Sequence, residues 1–417
     1  MPEAALPATA RRDARVACVH EWLTEWGGSE DAFRLILACF PGAQAFATID
    51  HLSAADRQRL AAAGPIRTTF LQNAPAVARR FWNYLPVTAL AVESHDVGDA
   101  DIVVSSSHAF AKGVLTRADQ FHVSYVYSPM RYAWDLHREY LRDYGLDRGA
   151  KGWLARLLFK RLRAWDRQTA NNVDLFVAIS RHVQQRIWRT YRRPSRLIYP
   201  AVRVERLRME THKEDHYVTV SRLVNYKRID LMLEAFRQMP SRKLVVIGDG
   251  PEMPALRRRC PPNVELRGRL PDEAVEAALQ SARAFLFAAH EDFGISPVEA
   301  QACGTPVIAY GAGGSLETLR PLGGAAEAPT GLHFPEQTAA SLAAAVQAFE
   351  DAGPVFDPHA CREFAEGFSE ARFQREFRDC VAQGWDAWKQ DPRALESRLC
   401  DGPAADPLPF VRGWAQP

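Results

Sequence analysis

Residues 290–319 read HEDFGISPVEAQACGTPVIAYGAGGSLETL. They follow Ala284 to Ala289, a run short and apolar enough to be a buried parallel strand. Glu291-Asp292-Phe293-Gly294 then reads as an acidic loop, and Ser296-Pro297-Val298-Glu299 as a helix start. A second apolar strand, Pro306 to Tyr310, ends in the glycine loop Gly311-Ala312-Gly313-Gly314. Strand, loop, helix, strand and loop in succession make the unit of a parallel α/β sheet. Ligands bind such sheets at the carboxyl ends of the strands, so Glu291, Glu299 and residues 311–315 are expected around one crevice.

Each of the two glutamates also has a plain explanation. Ser296-x-x-Glu299, with Pro297 at the first helical position, is a capping box, which by itself accounts for an acid there. Glu291 precedes the cap and lies beside a flexible glycine in a loop, where functional groups concentrate; otherwise it is a solvated loop acid. The pattern as a whole is more specific. Glu291 and Glu299 with seven residues between, the Phe293-Gly294 after the first, and the run Ala302-Cys303-Gly304-Thr305-Pro306-Val307-Ile308-Ala309 resemble the signature of the family 4 glycosyltransferases. The resemblance implies an α/β, GT-B fold, two Rossmann-like parallel-sheet domains facing across a cleft. It also implies sugar transfer from a nucleotide sugar with retention of configuration, no metal and no other cofactor. Glu291 would bind hydroxyls of the donor sugar and Glu299 the ribose, with Phe293, Gly294 and Ile295 in the same donor-binding loop.

Composition sets the frame. With 417 residues, 47% hydrophobic and 24% charged, the chain can bury two cores, and its length suggests two or three domains. A net charge of +2 points to no particular partner. Seven cysteines, scattered singly and odd in number, favour a reducing cytosol and argue against zinc. The first fourteen residues lack the apolar core of a signal peptide and read as a loose lead-in, and no run of apolar residues is long enough to span a membrane.

The first domain is placed at 15–202. RVACVHEW reads as its first strand, and TEWGGSEDAFRLILACF as a loop and an amphipathic helix. Gly27 and Gly28 put backbone N–H groups at that helix start, where an anion can sit; a tight turn is the commoner meaning of a lone Gly-Gly. The resemblance implies that this loop faces the donor diphosphate. Further strands are expected at 44–49, 101–107, 121–128, 173–180 and 196–202. His108 falls at the carboxyl end of the second of these. Alone it would be a structural histidine, but many family members carry a histidine or an acid here, near the reacting sugar. Lys112 and Gly113, close by, have no assigned role. Asp99-Ala100-Asp101 has the spacing that metal-dependent glycosyltransferases use, yet it precedes its strand and reads as a solvated turn.

Residues 127–135, YSPMRYAWD, resemble the Thr-Pro-x-Arg-Tyr-x-Trp segment of the mannosyltransferases of O-antigen and exopolysaccharide assembly. Ser128 replaces the threonine and Tyr127 stands where that branch has histidine. The branch implies GDP-mannose as donor and a glycan or lipid-linked acceptor in cell-surface polysaccharide synthesis. Lys and Arg then crowd residues 148–196 against only Asp166 and Asp174. Within GWLARLLFKRLRAW, the tryptophans and leucines interleave with these cations. Two readings stand: a helix in an anionic membrane interface, or a core helix with a basic outer face. No nucleic-acid motif accompanies the patch. A peripheral position at the inner face of the plasma membrane follows from the first reading.

A polar linker is expected at 203–216, a second domain at 217–363, and a terminal helix at 364–390 that crosses back to the first domain. The second domain opens with HYVTVS and then Arg222 and Lys227 on one loop, a fork and a point charge that suit a diphosphate. They also match the family's phosphate-holding pair. Gly248-x-Gly250 makes a glycine turn after the next strand; in relatives this turn lies against the nucleotide, and Arg267-Gly268 would wall the base. The tail from Pro392 reads as loose. Two other functions fit the same pattern, a GT-B sugar-nucleotide epimerase or phosphorylase, and a non-catalytic sugar-nucleotide-binding protein. No lysine motif for pyridoxal phosphate supports the phosphorylase.

Overall fold

Val16–His20 (β1) pairs in parallel with Gln44–Ala47 (β2) on one side and with Ile102–Ser107 (β4) on the other. Arg67–Thr68 (β3), Phe121–Val126 (β5), Leu175–Ala178 (β6) and Arg196–Leu197 (β7) complete a seven-stranded sheet in the order β3-β2-β1-β4-β5-β6-β7. β4 and β5 are buried along their whole length, as strands covered on both faces must be, which is why they read as apolar runs. β7 stops at Leu197, short of the expected 196–202, and Pro200 follows. β3 and the helices Ala54–Leu60 and Leu85–Glu93 were not expected. In this computed structural model residues 14–400 are described, apart from 61, 63, 144, 147 and 325–327; the expected lead-in lies outside them.

The chain divides into two units, one running to Tyr199 and resuming at Phe373, the other Pro200–Arg372. The second unit is built on His216–Val220 (β8), Lys243–Ile247 (β9), Val264–Gly268 (β10), Ala284–Phe287 (β11), Val307–Tyr310 (β12) and Gly331–Phe334 (β13). All its pairings are parallel, in the order β10-β9-β8-β11-β12-β13. Alternate residues feed two cores. Tyr217, Leu244, Val246, Leu286 and Ile308 pack on one face, and Val218, Val245, Ile247, Phe285 and Val307 on the other.

The expected linker is a strap on the second unit. Lys213 Nζ donates to the carbonyls of Gln280 (2.7 Å) and Cys303 (3.1 Å) and to the Thr305 hydroxyl (2.9 Å). Arg206 pairs with Asp272 at 3.0 Å, and Arg362 donates to the Leu207 carbonyl at 2.7 Å. Polar residues here bind rather than link. The single terminal helix is instead two, Pro358–Glu366 and Glu370–Gln390, separated where Val202 N–H donates to the Phe368 carbonyl at 2.7 Å. From Phe373 onward the longer helix belongs to the first unit. Its Phe373 and Phe377 rings meet Tyr125 at 5.5 and 5.6 Å, and a Cβ at Gly384 would lie 2.7 Å from the Phe121 ring. The tail is not loose as far as Cys400. Leu395–Leu399 is a short helix with Leu395 buried, held by an Arg193–Glu396 ion pair and by Arg196 donating to the Leu399 carbonyl at 3.1 Å. Beyond Cys400 the tail lies outside the described residues.

Candidate functional site

β8 and β11 are neighbours, yet the chain continues from β8 to β9 on one side and from β11 to β12 on the other. Such a reversal opens a crevice at the carboxyl ends of the two strands. Arg222 and Lys227 follow β8, and Glu291 follows β11. Lys227 closes the one-turn 3-10 helix Asn225–Lys227, and its Nζ forms an ion pair with Glu291 Oε1, the two side chains being 17% and 16% exposed. Its Nζ also lies 5.6 Å from the Tyr226 ring centroid and 5.9 Å from that of Phe287. Arg222 is exposed on the same loop.

Glycines set the loop geometry. Gly248 has φ +135°, and a Cβ there would lie 1.8 Å from the Ser221 carbonyl oxygen; at Gly250 one would lie 2.3 Å from that of Leu223. Any side chain would push the Arg222 loop away, so the turn after β9 serves Arg222 directly. On the other flank, Gly313 at φ +71° leaves room for the Glu291 carbonyl, 2.4 Å from where its Cβ would be, and Gly314 N–H donates to that carbonyl at 2.8 Å. The loops after β11 and β12 are thus clamped backbone to backbone, which fixes Glu291. Ser315, buried beneath them, donates to the Ala312 carbonyl (3.0 Å), and His333 donates to the Ser315 carbonyl (3.0 Å). Neither Ser315 nor His333 was singled out in the sequence; the Gly313-Gly314 pair was the visible sign of the clamp.

The helix bearing Glu299 spans Ile295–Ala302, and its N-cap is Gly294 at φ +97°, with no side-chain cap. The expected capping box does not form, because the left-handed glycine starts the helix before Ser296. Glu299 is therefore not accounted for as a cap; it is half-buried, between the buried Val298 and Ala300. Phe293 is buried with its ring 5.7 Å from that of Phe368, an anchor for the loop, and Ile295 is half-buried at the helix start. Arg267 lies on β10, an edge strand, paired with Glu265 at 3.0 Å, away from the β8/β11 reversal.

The first unit has its own reversal, between β1 and β4. Glu21 follows β1 and His108 follows β4. Glu21 is fully buried and accepts from the N–H groups of His108 (2.9 Å), Ala109 (2.7 Å), Phe110 (2.9 Å) and Ala111 (3.1 Å), and from the Ser107 hydroxyl (3.1 Å). Burial works to raise its pKa, but His108 and these N–H groups outweigh it and hold the carboxyl below its ordinary value. His108 is half-buried, edge-on to Trp22 at 4.7 Å; burial takes its pKa down, against the pull of Glu21.

Gly27 caps the helix Gly28–Cys39 in extended conformation, and both glycines are exposed. The first turn carries its own anion. Glu30 is buried, accepts from the Ser29 hydroxyl at 2.9 Å and stands 3.6 Å from His20 Nε2. His20 Nδ1 meets the Ser106 hydroxyl at 2.9 Å, Ser106 meets Tyr127 at 2.8 Å, and Tyr127 donates to the Ser29 carbonyl at 3.1 Å. Tyr127, the departure from the mannosyltransferase segment, thus ties β5 to the glycine loop. Asp101 lies at the opposite, amino end of β4, accepting from Arg15 N–H at 2.8 Å. Among the described residues no three His, Cys, Asp or Glu side chains gather to hold a metal ion.

Residues 128–135 dock on the helix Gly149–Thr169 through a buried hub. Asp166 accepts from Trp134 Nε1 (2.7 Å) and the Tyr191 hydroxyl (3.0 Å), and pairs with Lys112 at 2.7 Å, with side chains 0% and 2% exposed. Lys112 and Gly113 therefore have a packing role, a Cβ at Gly113 lying 2.3 Å from the Trp165 ring. The basic stretch is split in use. Arg163 and Arg193 donate inward to the carbonyls of Ala133 and Val173 at 2.9 Å, while Lys151, Arg156, Lys160, Arg161 and Arg167 are exposed beside Trp153 and Leu154, 67% and 61% exposed.

Residues 208–367 match the family Glycosyl transferases group 1. The matched stretch lies within the second unit. Over 119 residues the chain is 36% identical to the GDP-mannose-dependent monoacylated alpha-(1-6)-phosphatidylinositol monomannoside mannosyltransferase of Corynebacterium glutamicum. That match covers 25% of this chain and only 31% of the relative. Two solved structures are alike in fold across both units. HepE of Anabaena, in complex with UDP and glucose, aligns with a TM-score of 0.63 at 16% identity, covering 88% of this chain and 99% of that one. Sucrose-phosphate synthase of Thermosynechococcus elongatus aligns with a TM-score of 0.63 at 16% identity, over 90% and 98%. The fold is GT-B.

Proposed function

We propose that the protein is a glycosyltransferase that moves mannose from GDP-mannose to a glycan or lipid-linked acceptor with retention of configuration. The observation that carries this reading is the joining of Lys227 and Glu291 at the β8/β11 reversal, with Arg222 on the same loop. Transfer from a nucleotide sugar leaves a diphosphate on which negative charge grows, and Arg222 meets it together with Lys227 once Lys227 gives up its pair with Glu291. Glu291 holds donor hydroxyls, Glu299 the ribose, and Gly248 keeps the Arg222 loop in place. In the first unit, His108 is taken to act in the transfer, and Gly27 and Gly28 keep exposed N–H groups at a helix start that suit an anion. The leaving phosphate oxygen takes the acceptor proton as the new bond forms on the same face. Mannose is supported by the Corynebacterium relative's GDP-mannose dependence and by the segment 127–135.

The acceptor side includes a membrane. Trp153 and Leu154, exposed among Lys151, Arg156, Lys160 and Arg161, suit an anionic bilayer surface, with the apolar pair in the interface and the cations on the headgroups. The proposed contact is peripheral; no helix among the described residues is long and apolar enough to cross a bilayer.

A thermal-shift series with GDP-, UDP- and ADP-sugars tests the donor, because a ligand of the native state raises the midpoint. GDP-mannose is expected to give the largest shift and to be turned over. A larger shift with UDP-glucose would reassign the donor, and no shift with any nucleotide sugar would overturn the reading.

A further inference from the structure

The loop 107–111 has an unusual tenant. Four successive backbone N–H groups, of His108, Ala109, Phe110 and Ala111, converge within 3.1 Å of one oxygen, Glu21 Oε1, and Phe110 N–H also reaches Oε2 at 2.9 Å. Converging N–H groups form an anion nest. Here the anion is a side chain from the neighbouring strand, 0% exposed. An ionised carboxylate suits the demand best. The nest and the Ser107 hydroxyl supply donors only, so every lone pair offered must be an acceptor, and hydrogen bonds to an ionised acceptor are the stronger kind. A glutamine could keep its oxygen at the nest, but its NH2 would replace the Oε2 that accepts from Phe110 N–H, and the negative charge would be lost.

We infer that Glu21 is the positioning residue for His108, fixing the loop that aims the imidazole and supplying its counter-charge. The inference rests on His108 acting in the proposed transfer. Main-chain bonds on both sides of the His108 Cα leave the ring edge-on to Trp22 as the loop's half-buried outlet. Around that ring stand Glu21, His20, Glu30 and Tyr127: the two carboxylates favour a protonated His108, His20 opposes it, and the Tyr127 hydroxyl is engaged with Ser106 and Ser29. Glu21 is the charge bonded to the loop itself.

The test uses the full chain with Glu21→Gln, Glu21→Asp and His108→Ala, read by NMR titration of the His108 imidazole and by the pH profile of kcat/KM with the donor found in the thermal series. In Glu21→Gln the His108 midpoint is expected to fall by about one pH unit, and kcat/KM by about 100-fold. In Glu21→Asp the charge remains but the reach is shorter, so the midpoint returns toward wild type while kcat/KM stays reduced. A folded Glu21→Gln with both readouts unchanged overturns the inference. If Glu21→Gln does not fold, Glu21→Asp decides, because unchanged kcat/KM there refutes positioning. Full activity in His108→Ala would refute the role of His108 and the positioning with it, while the NMR shift would still report whether the two groups are coupled; loss of activity in His108→Ala with no change in Glu21→Gln would refute only the inference.

Discussion

Lys227 and Glu291 are ion-paired at the carboxyl ends of two adjacent parallel strands whose chains diverge. Each is largely shielded and each is the other's partner, so a donor that places its phosphate at Lys227 and its sugar at Glu291 exchanges this pair for two contacts. Lys227→Ala is therefore expected to lower kcat/KM by about 100- to 1000-fold, the range of one lost charge-stabilising donor. Stability should fall by about 1–3 kcal/mol, since the lysine's removal leaves a largely shielded carboxylate without its partner. Steady-state kinetics and a melting curve on the same preparation check both.

Gly248→Ala should act on Arg222 without touching it. The new methyl would meet the Ser221 carbonyl, at a backbone φ that side chains rarely adopt. Displacement of the loop is expected to weaken nucleotide binding at least about tenfold and to destabilise the second unit by about 1–3 kcal/mol. Calorimetric titration with nucleotide reads the first effect and urea unfolding the second.

In the first unit, Lys112→Met leaves Asp166 buried without its cation. The expected loss is about 3–5 kcal/mol, larger than for any exposed cation of the basic stretch. Unfolding of Lys112→Met and Lys160→Met, compared by urea midpoint, separates the buried hub from the outer face.

Acid should weaken the first unit through histidine before it acts on carboxylates. Burial takes His95 and His122 from 6.5 down to about 4. Between pH 6.5 and 4 the unfolded chain binds protons that the folded chain refuses, so stability falls as pH falls through that window. Glu21 and Glu30, whose pKa values are depressed, add their loss only below about 4.5. The urea midpoint should decline from pH 6.5 to 4, and His122→Gln should flatten that decline; an unchanged slope would count against it.

Vesicle sedimentation tests the membrane surface. Wild type is expected to pellet with vesicles containing anionic lipid and not with zwitterionic ones, and Trp153→Ser with Leu154→Ser to release it. Equal pelleting of the double variant would assign the face to a different role.

The strands of both sheets were legible because parallel strands covered on both faces must be apolar throughout. The two-residue β3 carries too little pattern to see. Residues 203–216 read as a linker because polar composition does not tell a solvated strand from a strap whose Lys213 and Arg206 reach the body of the domain. The capping box at Ser296 was a sound local signal that the positive φ of Gly294 overrode. In the candidate site, Arg222, Lys227 and Glu291 were visible because charge at strand ends is conspicuous. Glu21 was hidden inside the strand reading RVACVHEW, and its partners are backbone N–H groups of a distant loop, which no residue type announces.

Glu291 is proposed to belong to a site that transfers mannose with retention. The most direct measurement is NMR of the product formed from GDP-mannose and a lipid-linked glycan extract, by wild type and by Glu291→Ala. The one-bond carbon–hydrogen coupling at the anomeric centre reports the linkage. An α-mannosyl product from wild type, reduced at least about 100-fold in a folded Glu291→Ala, is the expected result. A β-linked product, or equal turnover by the variant, would contradict it.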